Sequence, residues 1–248
     1  HHENEIAQAK CGHPDEDFAR IWMHNEWVTL DGAKMAKSGR SFKVRDVLKD
    51  ADPEVVRLFL LSAHYRKPVD FTFDKLEELS KAKGRVIEAF NGLAGFLKWR
   101  AEERSENWLR TWSHWNDLHN FNHDEFQKRM SRGGPDAKVD LGDTFSERLV
   151  DAARRNLYFA HEVLADDFNT QGAIGFLMLL ANRIGAYLPS MTIESDEDFT
   201  AANIALGALV HLTEILGILK TERESLYLVL EERVELAKGK GNEAALEG

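Results

Sequence analysis

Residues 52–61 read Asp-Pro-Glu-Val-Val-Arg-Leu-Phe-Leu-Leu, and this stretch sets the helical character of the chain beyond it. Asp52 supplies an N-cap acceptor, and Pro53 has the fixed backbone angle of a first helical residue. Glu54 brings a negative charge to the positive end of the helix dipole. Val55, Val56, Phe59 and Leu60 recur at helical spacing. Leu58 and Leu61 widen that stripe, which predicts a helix buried nearly all round.

Further along the chain the period stays helical. Leu76, Leu79, Val86, Ile87, Phe90, Leu93, Ala94 and Leu97 recur at intervals of three and four and predict one long helix. The pattern breaks between about 104 and 143, where Trp108, Trp112 and Trp115 precede the loop signal Ser131-Arg132-Gly133-Gly134-Pro135. Phe145, Leu149, Val150, Ala153, Leu157, Ala160 and Leu164 begin a further helix. Asn169-Thr170 offers caps for the next, whose apolar face is Ala173, Ile174, Leu177, Leu180, Ala181, Ile184 and Leu188. Ile204, Leu209, Val210, Leu212 and Leu216 give another. The reading is an antiparallel helical bundle over 51–236, with an insertion at about 104–143 and a flexible Gly/Lys/Glu-rich tail over 237–248.

Toward the start of the chain the pattern is mixed. Phe18 to Met23 reads as a short helix, and Glu26-Trp27-Val28-Thr29-Leu30 has the β-branched and aromatic content of a strand. Asp31-Gly32 is a tight-turn signal, but the residues after it alternate too poorly to predict a completed hairpin. The net charge of −10 argues against coating nucleic acid through bulk electrostatics, although a local basic face remains compatible with RNA. The single cysteine, Cys11, excludes an intrachain disulfide and fits a reducing compartment. No apolar run approaching a membrane span is read, and the polar opening predicts no secretory leader.

Two constellations carry chemistry. Lys34-Met35-Ala36-Lys37-Ser38 places two lysines three apart after a turn. Such a loop can hold nucleotide phosphates and stabilise charge on a departing pyrophosphate, a task that suits a compact cation on a flexible stem. An exposed lysine pair is also an ordinary solvated face. The second is His1, His2, Glu3 and Glu5. On a helix His1 and Glu5 share one face, and imidazole and carboxylate are both competent zinc ligands. Two ligands fall short of a site.

The order of these pieces points further. His1-His2-Glu3-Asn4-Glu5-Ile6-Ala7-Gln8 resembles the zinc-ligating segment of the cysteinyl-tRNA synthetases. Trp22-Met23-His24-Asn25 and Lys34 to Ser38 are similar to that family's Trp-Met-His segment and KMSKS loop. The match continues through Phe42, Arg45-Asp46-Val47-Leu48, Asp52 to Val55, Arg57 to Ser62 and His64-Tyr65-Arg66, then Asp166-Asp167-Phe168-Asn169-Thr170. The resemblance implies a mainly α chain. A small α/β remnant of a class I, Rossmann-type catalytic domain carries the KMSKS-type loop over 1–50, and the tRNA-binding bundle succeeds it. It implies ATP-dependent activation of cysteine, with ATP bound as its Mg complex, and transfer to tRNA(Cys). Zinc discriminates the substrate thiolate from a serine hydroxyl.

By the same resemblance His1 and Glu5 are zinc ligands, and Lys37 contacts ATP. Lys34, Ser38 and Met35 complete the loop, while Trp22 and His24 line the adenine side. Arg45, Arg57 and Arg66 are candidate contacts to an RNA backbone. The expected compartment is cytoplasmic, and no membrane partner is expected. Three departures stand out. The family's two cysteine ligands and HIGH motif precede the position matching His1, so this chain alone is expected to lack a complete zinc site and aminoacylation activity. Ala36 replaces the usual serine, and Gly39-Arg40-Ser41 stands where Leu-Gly-Asn is usual. After about Leu230 nothing matches the small anticodon-reading domain. Two other readings share these marks: a non-catalytic RNA- or partner-binding module derived from a synthetase, and a mycothiol-type cysteine ligase.

Overall fold

The computed structural model describes residues 2–30, 32–34, 43–104 and 144–228. The tryptophan-rich stretch and the tail over 237–248 lie outside the described residues. The described chain is mostly helical. Helix α1 (Glu3–Gly12) is followed by strands β1 (Val28–Leu30) and β2 (Ala33–Lys34), then helices α2 (Val44–Val47) and α3 (Pro53–Leu61). Strand β3 (Val69–Phe71) leads into α4 (Phe73–Arg104). Helices α5 (Phe145–Ala165), α6 (Thr170–Tyr187) and α7 (Asp196–Leu216) complete the bundle.

Helix α3 forms for the reasons its sequence gives. Pro53 opens it, and the Asp52 carboxylate accepts from the Glu54 N–H at 2.8 Å. Its burial is narrower than expected. Val55, Val56, Leu58 and Phe59 are buried, but Leu60 is exposed. The helix faces two cores, one on each side, and Leu60 lies on the remaining face. Leu58 enters the main bundle core. Val55, Val56 and Phe59 join Val47, Phe71 and Leu76 in a smaller core against the sheet, where Phe59 meets Phe71 edge-on at 5.3 Å.

Long-range contacts fix the direction of each bundle helix. Arg100, near the end of α4, donates to the Ser195 carbonyl and the Asp196 carboxylate at the start of α7. Lys83, in the first third of α4, meets Glu54, whose carboxylate accepts from the N–H groups of Leu219 and Lys220 just past α7. Thus α4 runs against α7. Helix α5 runs with α7: Ser146 donates to Asp198 near their starts, and His161 Nε2 lies 2.9 Å from His211 Nε2 further along. Phe145 meets Tyr187 at 5.9 Å, so α6 runs against α5. The directions alternate in sequence; the connections from α5 to α6 and from α6 to α7 are short, whereas about forty residues separate α4 from α5.

Helix α7 is the central element. Ala201, Ala202, Ala205 and Ala208 let neighbouring helices approach, while Leu206, Leu209, Val210 and Leu212 fill the core between them. By length and composition, 170–190 and α7 both reach what a membrane span requires, which corrects the reading that no apolar run does. Most of α7 is buried within the bundle, so its apolar run serves the core of this fold. Gly217 ends α7 at φ 68°, donating to the Glu214 carbonyl while Ile218 donates to that of Thr213. A side chain at Gly217 would also collide with Arg57, whose Nε donates to the Leu216 carbonyl at 2.6 Å.

The sheet is small, ordered β2-β1-β3. Strand β1 is parallel to β3, with Thr29 opposite Asp70, and antiparallel to β2, with Thr29 opposite Lys34 and Leu30 opposite Ala33. The hairpin that the sequence left incomplete therefore forms, with Gly32 at φ 75° next to β2. It needs only two pairs, too few for alternation to show. The expected helix at Phe18 to Met23 does not form. Phe18, Ile21, Trp22 and Met23 are all exposed, so a helix there would gain little burial to offset its nucleation cost.

Candidate functional site

Helix α1 buries none of its own residues. Glu5 lies exposed on it, with its carboxylate 3.9 Å from His2 Nδ1. The same His2 ring stacks on His24 at 5.7 Å and approaches Trp22 at 6.1 Å. Trp22 and His24 stack at 6.0 Å and 15°, and Phe18 adds a ring 5.5 Å from Trp22. Two segments read separately in the sequence, His-His-Glu-Asn-Glu and Trp-Met-His, thus meet ring to ring. Stacked, exposed aromatic faces of this kind suit a planar heterocycle.

The hairpin follows this segment in the chain. Thr29 Oγ1 donates to Asp70 Oδ1 at 2.6 Å, and the Gly32 N–H donates to the same oxygen at 2.8 Å. The Thr29 hydroxyl chiefly, then the Gly32 amide, holds the Asp70 carboxyl below the ordinary aspartate range against slight desolvation. Lys34 is the last residue of β2, so the chain enters 35–38 from a strand end. His1, Met35, Lys37 and Ser38 lie outside the described residues.

A second polar centre joins the N-terminal part to the bundle. Asp167, in the turn between α5 and α6, accepts from the Tyr65 hydroxyl at 2.6 Å. Arg66 Nε lies 2.9 Å from the other carboxylate oxygen, and His64 Nε2 lies 3.7 Å away. The Tyr65 hydrogen bond is the largest influence on Asp167 and outweighs its partial desolvation; with Arg66 and His64 it holds the carboxyl below its ordinary range. Both His64-Tyr65-Arg66 and Asp166 to Thr170 were legible as motifs, but nothing in the sequence paired them across about a hundred residues. Arg57 and Arg66, candidates for RNA contact, are both engaged within the molecule, on Leu216 and Asp167.

Asp70 and Lys83 are the positions that sequence reading missed. Lys83 Nζ lies 2.6 Å from Asp52 and 2.7 Å from Glu54, although it sits on a helix that reads as merely amphipathic. Desolvation pushes Asp52 and Glu54 up, but the Lys83 hydrogen bond, backbone amides and the Lys83 charge outweigh it and leave both lowered. Lys83 is raised for the complementary reason: its two carboxylate partners overcome its own desolvation. The signal was Lys83 on the apolar side of α4, beside Ala82 and one turn before Val86.

Among the described residues no group of three or more His, Cys, Asp or Glu side chains is arranged to hold a metal ion. Cys11 is exposed and lies six residues beyond Glu5 on α1, on another face of the helix. The fit to zinc among these residues is therefore partial: Glu5 is available, and a complete donor set is not present.

Residues 1–81 match the profile of the class I (C) tRNA synthetase catalytic domain, and residues 161–220 match that of the DALR domain. The first match includes α1, the sheet and α3; the second holds the end of α5, all of α6 and α7. A cysteine–tRNA ligase of Lysinibacillus sphaericus is 32% identical over 246 residues, 97% of this chain and 43% of that protein. One from Methylococcus capsulatus is 34% identical over 233 residues, 92% of this chain and 37% of that protein. One from Paracoccus denitrificans reaches 58% over 95 residues, 38% of this chain and 20% of that protein. The chain spans less than half the length of these relatives.

Proposed function

We propose, from this chain's membership of the class I tRNA synthetases, that it is the C-terminal-side portion of a cysteine–tRNA ligase. In that reaction the cysteine carboxylate displaces pyrophosphate from ATP, presented as its Mg complex, and the activated cysteine then passes to tRNA(Cys). Residues 1–50 serve as the later part of the catalytic domain and 51–236 as the RNA-binding bundle, in the cytoplasm.

Lys34, Lys37 and Ser38, with Met35 shaping the loop, act on the nucleotide phosphates. Fixed cations there stabilise the charge that develops as pyrophosphate leaves. Trp22 and His24 take the adenine ring. His1 and Glu5 contribute two zinc ligands to a site completed by an earlier part of the catalytic domain. The observation that supports this reading best is an adjacency: the helix bearing Glu5 meets the Trp22/His24 stack ring to ring through His2.

The test is cysteine-dependent ATP–pyrophosphate exchange. This chain alone, supplied with zinc, is expected to show none. The same residues joined to the earlier catalytic portion are expected to exchange with cysteine and not with serine. Exchange by the isolated chain would overturn the division of the site. Absence of exchange from the joined protein would overturn the assigned reaction.

A further inference from the structure

Near their ends, α5 and α7 each carry a histidine, and the two meet at the surface of the bundle. His161 Nε2 lies 2.9 Å from His211 Nε2, with the ring centroids 5.0 Å apart. Packing holds both residues in place. Ala160 and Leu212, their neighbours in sequence, are buried in the core, so the two backbones are anchored while the contact between the rings is exposed. The contact is a hydrogen bond in which one ring carries a proton on Nε2 and the other accepts it.

The same geometry serves a metal ion. Two imidazole nitrogens, each about 2.0–2.1 Å from one ion and set at right angles or tetrahedrally, stand about 2.9–3.4 Å apart. The separation in this structure already lies in that range, so the rings need move little. Each ring offers its Nε2 lone pair once the shared proton sits on the Nδ1 of its own imidazole. Both rings then remain neutral, and no net proton is released. Glu214, one turn beyond His211, lies 3.9 Å from Arg223 Nη1. Among the described residues no third His, Cys, Asp or Glu is arranged to join the pair. Water fills the other positions around the ion. We propose that His161 and His211 form an open, two-ligand site for a late first-row divalent cation such as zinc, which ties α5 to α7. Imidazole donors select such ions over magnesium and calcium, which take oxygen ligands. The site is weaker than a zinc centre built from three or four protein ligands. Its advantage over a lone histidine is that the second imidazole is already in place when the first binds.

The test is a zinc titration of this chain followed by histidine side-chain NMR, with magnesium as the control cation. Among the ten histidines, the imidazole signals of His161 and His211 are expected to move together over one range of zinc concentration and to ignore magnesium. His161→Asn and His211→Asn should each weaken zinc binding at the remaining ring at least about tenfold, because either change destroys the chelate. Zinc should raise the thermal midpoint of wild type by more than that of the double variant, since it binds the folded pair. A wild-type titration in which the two rings respond at different zinc concentrations, respond equally to magnesium or do not respond overturns the inference without any variant. A single variant that binds as tightly as wild type overturns it too, as does a zinc-induced rise of equal size in the double variant.

Discussion

In the bundle, Leu177, Leu180, Ile184, Leu206 and Leu209 are enclosed, whereas Phe18, Ile21, Trp22, Met23, Trp27, Val44 and Leu48 lie exposed in the N-terminal part. The two regions use their apolar residues differently. The bundle has a large enclosed core between four helices, although Leu60, Phe73, Trp99 and Phe145 are exposed on its surface. The N-terminal part is held mainly by what it borrows: Glu26 and Trp27 bond to the 65–69 segment, and the sheet rests on α3 through the smaller core. Where exposed apolar residues are contiguous they mark a surface that another surface covers.

The comparison is broken most directly in the core. Leu206 is 1% exposed in the centre of α7. Leu206→Ala is expected to cost about 2–5 kcal/mol, because it removes buried methyl groups and leaves a cavity that close-packed helices only partly fill. Chemical denaturation read by helical circular dichroism measures it. A loss under about 1 kcal/mol would mean that the bundle is not the cooperative unit described.

At the junction the expected effect is smaller and depends on pH. Lys83→Met leaves Asp52 and Glu54 facing each other without their shared cation. The half-exposed position of Asp52 limits the cost to about 1–3 kcal/mol. Both carboxyls are lowered in the folded state, so their contribution is complete above about pH 5 and disappears as pH falls through the lowered values. Lys83 is raised, so its side of the link is complete below about pH 10 and is lost only in stronger alkali. The wild-type advantage over Lys83→Met should therefore be flat between about pH 5 and 9 and shrink in acid. An advantage that grows on acidification would refute this assignment of charge.

These two positions also divide what could be read from sequence. Leu206 belongs to an apolar helix whose period announces burial, and Asn169 announced the cap that it makes on α6. Helices are legible because their determinants are local. The junction was not, since Lys83 finds Asp52 and Glu54 about thirty residues away, and Tyr65 finds Asp167 about a hundred away. Strand β3 went unread for a related reason: three residues with one buried side chain carry no periodic signal. The candidate segments were legible as motifs in order, and it was the fold that brought His2 against Trp22 and His24.

The smallest effect in this chain sharpens the comparison most. Ile21 is 80% exposed, so Ile21→Ser removes little apolar area from the folded chain's interior. The denaturation midpoint of this chain should stay within error of wild type, as for surface substitutions generally. In a protein that also carries the earlier catalytic portion, the same change should be felt, because an apolar side chain covered by a neighbour contributes about 1.5–3 kcal/mol. Equal, negligible effects in both contexts would mean that this face is simply solvated. An effect confined to the longer protein would identify residues 18–27 as part of the seam between the two halves of the catalytic domain.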